Sequence, residues 1–285
     1  MLPLLITGGA GFLGDALLRS APPQVELHST RRTTPVRAGQ SHTCDLADRG
    51  ATGALFDRLQ PGLVIHTAYS PSAGERDIWE ATRNVVDACA ASGAALLHMS
   101  TDLVLDGERA PYDEAADPQP VHEYGRWKAK AEAYVLQRLP DAAVVRTSLI
   151  TSFLPPDPRT AWVASGLRGE APVTLFADEI RCPVEVGDLA RQLWEIVFLP
   201  EAERGGVWHL AGPEALSRFA LGALIAAALR LPTDRLRWGL SREAPERRPR
   251  DLRLLTPRAD ALLLSRIRPI SQVAAEALAP AAGAG

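Results

Sequence analysis

A tyrosine and a lysine that could deliver a proton to a substrate lie four residues apart in the segment YGRWKAKAE, residues 124–132. Residues at this spacing share one face of a helix, so Tyr124 and Lys128 can point into one site. A cation within about 4–6 Å lowers the pKa of a phenol by roughly 1–3 units, which favours proton exchange near neutral pH. We therefore predict that Tyr124 and Lys128 are catalytic, whereas Lys130, the only other lysine, is interpreted as a solvated helix charge.

Hydroxyl groups that could orient a substrate carbonyl lie upstream of this helix. The apolar run ALLHMST ends in Ser100 and Thr101. In an open α/β sheet, ligands bind outside the carboxyl ends of the strands. We predict Thr101 as the third catalytic residue. An exposed helix with a strand-end cap is the alternative interpretation. The predicted substrate contacts are Ser100, Asp102 and Tyr124.

Glycines follow the first predicted strand at regular spacing. The segment TGGAGFLG places Gly8, Gly11 and Gly14 between an apolar run and a helical pattern. Without side chains, the backbone N–H groups can approach a phosphate, and the helix N-terminus adds partial positive charge. A tight turn that binds nothing is the alternative. The turn residues predicted to bind a dinucleotide are Gly8, Gly11, Phe12, Leu13 and Gly14.

The end of the second predicted strand indicates which dinucleotide binds. NAD sites usually carry an acidic residue there, whereas NADP sites carry an arginine. The segment HSTRR offers Thr30, Arg31 and Arg32 and no acid, so we expect NADP(H) in preference to NAD(H). A solvated basic loop is the alternative. The other residues predicted to bind the cofactor are Asp45, Leu46, Thr67, Ala68, Tyr69 and Lys128.

Alternating strand and helix patterns must position these side chains. Short apolar runs recur between segments with helical periodicity, from residue 2 to residue 150. Strands buried on both faces read as apolar runs, and helical crossovers imply parallel pairing. The predicted fold is an α/β Rossmann-type doubly wound parallel sheet with a smaller C-terminal substrate domain. We assign an NAD(P)-binding Rossmann domain to 1–150 and a substrate-binding region to 151–285, with segments of 183–211 returning to the first domain.

The composition narrows the possible partners. The 285 residues are 46% hydrophobic, enough for a large core, and a net charge of -3 provides no broad basic surface for nucleic acid or anionic membrane. Cys44, Cys89 and Cys182 are odd in number and lack the spacing of a disulfide framework or metal site. No apolar segment is long enough to span a bilayer. We expect a cytoplasmic protein with a small-molecule partner, without a metal, and with a homodimer as the candidate assembly.

Several segments together resemble the extended short-chain dehydrogenase/reductases, and within them the dTDP-4-dehydrorhamnose reductase branch. The resemblance implies a catalytic set of Thr101, Tyr124 and Lys128, with hydride transfer from NAD(P)H to the 4-keto group of a nucleotide-linked deoxysugar and a proton from Tyr124. The sequence departs from the branch at Ile78 and His122, where asparagine is usual, and in a Pro-rich loop at 151–162. The segments that carry the resemblance are TGGAGFLG, STDLVLDG, PYDEAADPQPVHEYGRWKAKAE, RTSLI, DEIRCPVEVGDLA and GVWHLAG.

The sequence therefore favours an NADPH-dependent reductase that acts on the keto group of a nucleotide-linked sugar. Two alternatives stay open: a sugar-nucleotide epimerase or dehydratase on the same scaffold, and a catalytically silent NADP-binding regulatory subunit. Trp162, Trp238 and the basic stretch from Arg242 to Arg253 are interpreted as solvated surface, because runs of charge usually are. Contact with the base or diphosphate of a sugar nucleotide is the alternative for these residues.

Overall fold

A central sheet dominates the computed structural model, which describes residues 3–70 and 74–278. Its strands are β1 (Leu4–Thr7), β2 (Leu27–Arg31), β3 (Gln40–Thr43), β4 (Leu63–His66), β5 (Ala95–Met99), β6 (Ala143–Thr147) and β11 (Gly206–Leu210). They lie in the order β3-β2-β1-β4-β5-β6-β11, and each pairs in parallel with its neighbours. The predicted parallel α/β sheet is confirmed.

Helices cover both faces of this sheet, as a doubly wound fold requires. Alternate residues of a strand point to opposite faces, so neighbours in one strand enter different cores. Ile6 packs in the core with the first and sixth helices, whereas Leu5 packs in the core with the second, third and fourth. A π-helical turn at Arg76–Glu80 leads into the third helix. These helices are α1 (Phe12–Arg19), α2 (Arg49–Leu59), α3 (Ala81–Ser92), α4 (Glu123–Arg138) and α6 (Val186–Phe198).

The chain after β6 builds a smaller unit with its own apolar cluster, which includes Phe153, Leu175 and Ile225. Its helices are α5 (Pro158–Arg168), α7 (Glu201–Arg204), α8 (Arg218–Ala228), α9 (Pro257–Leu262) and α10 (Ile270–Leu278). Its short strands are β7 (Ile150–Thr151), β8 (Thr174–Phe176), β9 (Ile180–Arg181), β10 (Val184–Glu185), β12 (Leu216–Ser217) and β13 (Arg237–Gly239).

Part of this later sequence belongs to the central layers. Helix α6 packs beside α1, and β11 forms the edge strand next to β6. The functional division into a cofactor domain and a substrate region stays a prediction. Across residues 3–70 and 74–278, none of the helices has the length and apolar character needed to cross a membrane.

Candidate active site

A cleft of about 580 Å³ opens where the carboxyl ends of the parallel strands meet. Parallel strands all present these ends at one edge of the sheet, so the side chains that follow them converge. The cleft collects every predicted site residue except Asp102. The predicted residues that line it are Gly8, Gly11, Phe12, Leu13, Gly14, Thr30, Arg31, Arg32, Asp45, Leu46, Thr67, Ala68, Tyr69, Ser100, Thr101, Tyr124 and Lys128.

The glycine turn fits a group that approaches the backbone closely. Gly8 has a φ of +73°, which favours glycine, and its carbonyl accepts a hydrogen bond of 2.9 Å from the Gly11 N–H. Thr30 fixes the turn, since its Oγ1 accepts from the Gly8 N–H at 3.1 Å. A Cβ added at Gly14 would lie 2.2 Å from the Gly8 carbonyl oxygen, so α1 packs against the turn only with glycine there. This backbone cradle suits a dinucleotide pyrophosphate.

Replacing Gly14 with Ala is expected to destabilise the protein by about 1–3 kcal/mol, because backbone atoms must move to admit the new methyl group. Gly53 is the matched control, since it also lies in a helix but has nothing within 4 Å of an added Cβ. Gly53→Ala should be stabilising by about 0.5–1 kcal/mol, from helix propensity and chain entropy. Urea unfolding of the two variants measures the contrast. Equal effects would contradict the close packing at Gly14.

Tyr124 lies in the first turn of α4, whose N-cap is His122. The His122 Nδ1 accepts a 3.0 Å hydrogen bond from the Gly125 N–H, a capping role that asparagine also performs. Burial raises the pKa of Tyr124 well above its ordinary value, and the neighbouring Tyr69 and Asp102 add to this shift, while hydrogen bonding with Thr101 opposes it. The prediction that Lys128 lowers this pKa is wrong, because burial dominates. Tyr124 is therefore a protonated phenol at neutral pH.

The two lysines occupy different environments. Lys128 is buried, with 5% of its surface exposed, and its Nζ donates a 2.8 Å hydrogen bond to the Met99 carbonyl. The same Nζ lies 5.3 Å from the centre of the Tyr69 ring, at the cleft. Burial lowers the pKa of Lys128 to about 8, and the charge of Glu132 opposes this shift. Lys130 is exposed, and its Nζ lies 4.2 Å from the centre of the Trp79 ring.

Asp102 does not line the cleft, which contradicts its predicted substrate contact. A 3-10 turn begins at this residue, and the side chain is buried behind the cleft. Its Oδ2 accepts a 2.7 Å hydrogen bond from the Ser148 hydroxyl and lies 3.7 Å from the Arg181 Nε. Burial raises the pKa of Asp102, and Arg181 opposes this shift. Asp102 instead supports Thr101, whose hydroxyl lies 3.3 Å from its Oδ1.

Carboxylates that the sequence did not indicate neutralise part of the basic edge of the cleft. The Nη1 of Arg32 lies 2.7 Å from the Asp77 Oδ2, and Asp77 also accepts a 2.9 Å hydrogen bond from Arg76. Arg76 in turn pairs with Asp45. Asp77 lies in the π-helical turn and is mostly buried. These contacts hold Arg32 and Asp45 at the edge of the cleft.

A buried network fixes the backbone where β4 meets the cleft. The Thr7 Oγ1 accepts hydrogen bonds from the Thr67 and Ala68 N–H groups at 3.2 and 3.3 Å. It also lies 2.7 Å from the His66 Nδ1, so its proton points toward that ring nitrogen. The other ring nitrogen lies 3.1 Å from the Thr82 hydroxyl. His66 therefore holds the cleft edge in place rather than facing a ligand.

Further lining residues come from the segment after β6, which the sequence did not assign to the site. Ser148, Asp157, Pro158 and Arg159 all face the cleft. Asp157 caps α5 by accepting from the Arg159 and Thr160 N–H groups at 2.9 and 3.2 Å. An Asp-Pro pair at a helix start is a signal that could have located this helix, but not its position at the cleft.

A family comparison agrees with this architecture. The model of the family described as RmlD substrate binding domain matches residues 2–282. The chain belongs to that family.

Individual relatives divide between enzymes and a subunit. The methionine adenosyltransferase 2 subunit beta of Danio rerio is 27% identical over 251 residues, which cover 82% of this chain and 76% of the relative. A dTDP-4-keto-6-deoxy-D-glucose reductase of Streptomyces niveus is 35% identical over 158 residues, covering 50% of this chain and 51% of the relative. The solved dTDP-4-dehydrorhamnose reductase of Bacillus anthracis, in complex with NADP, superposes with a TM-score of 0.83 at 20% identity and covers 97% of this chain and 98% of its own.

Proposed function

We propose that the protein is an NADPH-dependent reductase of the keto group of a nucleotide-linked sugar, similar to dTDP-4-dehydrorhamnose reductase. One observation carries the proposal: a single cleft contains both a glycine turn that fits a dinucleotide and the side chains of Thr101, Tyr124 and Lys128. The family match supports this function, as do the names of the Streptomyces niveus and Bacillus anthracis relatives.

The proposed roles follow from the chemistry of each group. Bound NADPH supplies the hydride that reaches the carbonyl carbon. Tyr124 donates its phenolic proton to the carbonyl oxygen, which its high pKa keeps available at neutral pH. Thr101 orients that oxygen through its hydroxyl. Lys128 holds the ribose hydroxyls of the cofactor, and its charge stabilises the phenolate that Tyr124 becomes.

Arg32 is proposed to select NADPH by contacting the 2′-phosphate, from its position beside Asp77. Replacing it with Ala should weaken NADPH binding about 10- to 100-fold and leave NADH binding within about twofold, because only NADPH carries that phosphate. Arg37→Ala is the control, since Arg37 is exposed on the same loop and does not line the cleft. Fluorescence titration of both nucleotides measures the effect. An equal loss for NADH would contradict this role.

A silent NADP-binding regulatory subunit is the second candidate, and the likeness to methionine adenosyltransferase 2 subunit beta favours it. An epimerase or dehydratase stays the enzymatic alternative. The three functions differ in what happens to the cofactor. A reductase consumes NADPH in proportion to product, an epimerase or dehydratase recycles it, and a regulatory subunit binds it without turnover.

The test is NADPH consumption with a panel of nucleotide-linked 4-keto-6-deoxysugars, after a thermal-shift screen has identified the nucleotides that bind. The reductase proposal predicts one NADPH oxidised for each sugar reduced. Cofactor binding without oxidation across the panel would favour the regulatory subunit. Product formation without net oxidation would favour the epimerase or dehydratase.

The compartment and assembly are also proposed rather than established. All three cysteines are buried free thiols, which supports a reducing compartment such as the cytoplasm. The candidate homodimer would be tested by light scattering of the purified protein.

A further inference from the structure

A cluster of arginines surrounds one buried carboxylate near the catalytic end of the cleft. Glu179 lies 3.0 Å from the Arg181 Nη2, 3.4 Å from the Arg248 Nη1 and 4.0 Å from the Arg218 Nε. The Glu179 side chain is 5% exposed. Because one carboxylate cannot satisfy three guanidinium groups, donors are left over in this cluster.

Arg181 has no donor to spare for a ligand. Besides Glu179 it approaches Asp102 at 3.7 Å, and its Nη1 donates to the backbone carbonyls of Ile180 and Pro249 at 3.0 and 3.3 Å. Its side chain is 3% exposed. Arg181 therefore has a structural role, joining Asp102 to Glu179.

Arg218 and Arg248 differ from Arg181 in this respect. The Arg218 Nη1 is buried and makes no hydrogen bond within residues 3–70 and 74–278. A buried unpaired donor on a charged group is costly, so such a group usually signals a ligand or an ion. Arg248 is half-exposed, lies over the Phe176 ring at 5.2 Å, and contacts Glu179 through one nitrogen.

Arg159 connects this cluster with the cleft. It is exposed at the start of α5 and lines the cleft beside Ser148. Its charge reaches Arg218: burial lowers the pKa of Arg218 to about 10, Arg159 lowers it further, and Glu179 opposes the shift. Mutual repulsion among guanidinium groups is relieved when an anion binds between them.

The charges in contact leave an excess of positive charge. Four guanidinium groups, those of Arg159, Arg181, Arg218 and Arg248, face the carboxylates of Glu179 and Asp102. Asp157 is also near, but its oxygens cap the N-terminus of α5. A doubly charged anion would balance the cluster.

We propose that Arg159, Arg218 and Arg248 bind the diphosphate that links nucleoside and sugar in the substrate. This inference rests on the proposed reductase function. The planar fork of a guanidinium matches phosphate oxygens, which a single ammonium does not. The location also separates this diphosphate from that of the cofactor. Arg159 follows β6, three strand positions from β1 and the glycine turn, which corresponds to about 14 Å at the usual strand spacing.

The test compares Arg159→Gln, Arg218→Gln and Arg248→Gln with Arg168→Gln as the matched control. Arg168 is exposed at the other end of α5 and does not line the cleft. The probes are dTDP-glucose, which has no keto group to reduce, and thymidine, which has no phosphate. Titration calorimetry with saturating NADP⁺ should give dTDP-glucose affinities about 10- to 100-fold weaker for each cluster variant, with thymidine and the control within about twofold. The same titration with UDP-glucose covers a different nucleoside.

A salt series adds a second readout. Raising the ionic strength from about 0.05 to 0.3 M should weaken dTDP-glucose binding to the wild type more than to the Arg159→Gln/Arg248→Gln double variant, because screening acts on the charges that the variant lacks. If Arg218→Gln fails to fold, Arg218→Lys and the two exposed positions still decide the question. Unchanged affinities in the cluster variants, or an equal loss in Arg168→Gln, would overturn the proposal.

Failure of the diphosphate site and failure of the reductase proposal are distinguishable. If the cluster variants lose dTDP-glucose while the wild type reduces no keto sugar, the anion site stands and the reductase function fails. If the wild type reduces keto sugars and the cluster variants bind the nucleotide sugar normally, the function stands and the anion site fails. If the wild type binds neither nucleotide sugar, the anion site is refuted.

Discussion

Replacing Tyr124 with Phe is expected to lower kcat by about 10²- to 10⁴-fold, the usual contribution of a positioned general acid. The ring keeps its place in the first turn of α4, 5.9 Å from the Tyr69 ring, so only the hydroxyl is lost. Without it, no group beside Thr101 offers a proton to the carbonyl oxygen. The affinity for NADPH should stay within about twofold, because the proposed cofactor contacts are the glycine turn, Arg32 and Lys128.

Tyr134→Phe is the control for this substitution. Tyr134 lies on the same helix, but its hydroxyl donates a 2.6 Å hydrogen bond to Asp87 and does not face the cleft. Its loss should leave kcat unchanged. Steady-state kinetics with a keto sugar from the panel, together with NADPH titration, measures both variants. A Tyr124→Phe protein that retains wild-type kcat would remove Tyr124 from the mechanism.

Replacing Lys128 with Met is expected to change activity and stability in opposite directions. Activity should fall by about 100-fold or more, because the contact proposed for the ribose and the charge beside Tyr124 are both lost. Stability at pH 7 should rise, because a folded-state pKa of about 8 means that the buried ammonium costs free energy. The difference from the ordinary lysine value corresponds to a cost on the order of 3 kcal/mol.

The pH dependence of stability follows from the same shift. Below about pH 8 the folded and unfolded chains both hold the Lys128 proton, and the folded state bears the full cost. Between that pH and the ordinary lysine pKa, only the unfolded chain stays protonated, so the wild type gains stability as the pH rises. The advantage of Lys128→Met should therefore shrink above pH 8.

Lys130→Met provides a matched comparison within the same helix. Lys130 contacts the Trp79 ring on the surface and lies 4.0 Å from Glu75, so its loss should leave activity unchanged and alter stability by less than about 1 kcal/mol. Urea unfolding at several pH values and initial rates measure both lysines. If Lys128→Met is less stable than the wild type at pH 7, the account of its burial is wrong.

The sheet and most of its helices were predictable because apolar runs alternate with helical periodicity. The exception is β3, whose residues QSHT at Gln40–Thr43 include no apolar side chain. It pairs with β2 at the edge of the sheet, where little surface is buried, and so leaves no hydrophobic pattern in the sequence. Backbone pairing alone determines such a strand.

The candidate site was predictable wherever a residue directly follows a strand or shares a helix face. Contacts between distant segments were not. Asp102 turns away from the cleft because its partner is Arg181, from a strand formed much later in the chain. The raised pKa of Tyr124 was missed because spacing reveals a nearby cation but not burial. Asp77 and Arg159 lie at the cleft through loops whose paths no local pattern specifies.

The most direct test of the central claim is hydride transfer itself. The protein would be incubated with NADPH that carries deuterium at nicotinamide C4 and with a nucleotide-linked 4-keto-6-deoxysugar, and the product would be analysed by mass spectrometry and NMR. The account predicts one deuterium on the sugar carbon that bore the carbonyl, for each NADPH oxidised, and loss of this transfer in Tyr124→Phe. Bound NADPH that transfers no deuterium to any sugar of the panel would contradict it.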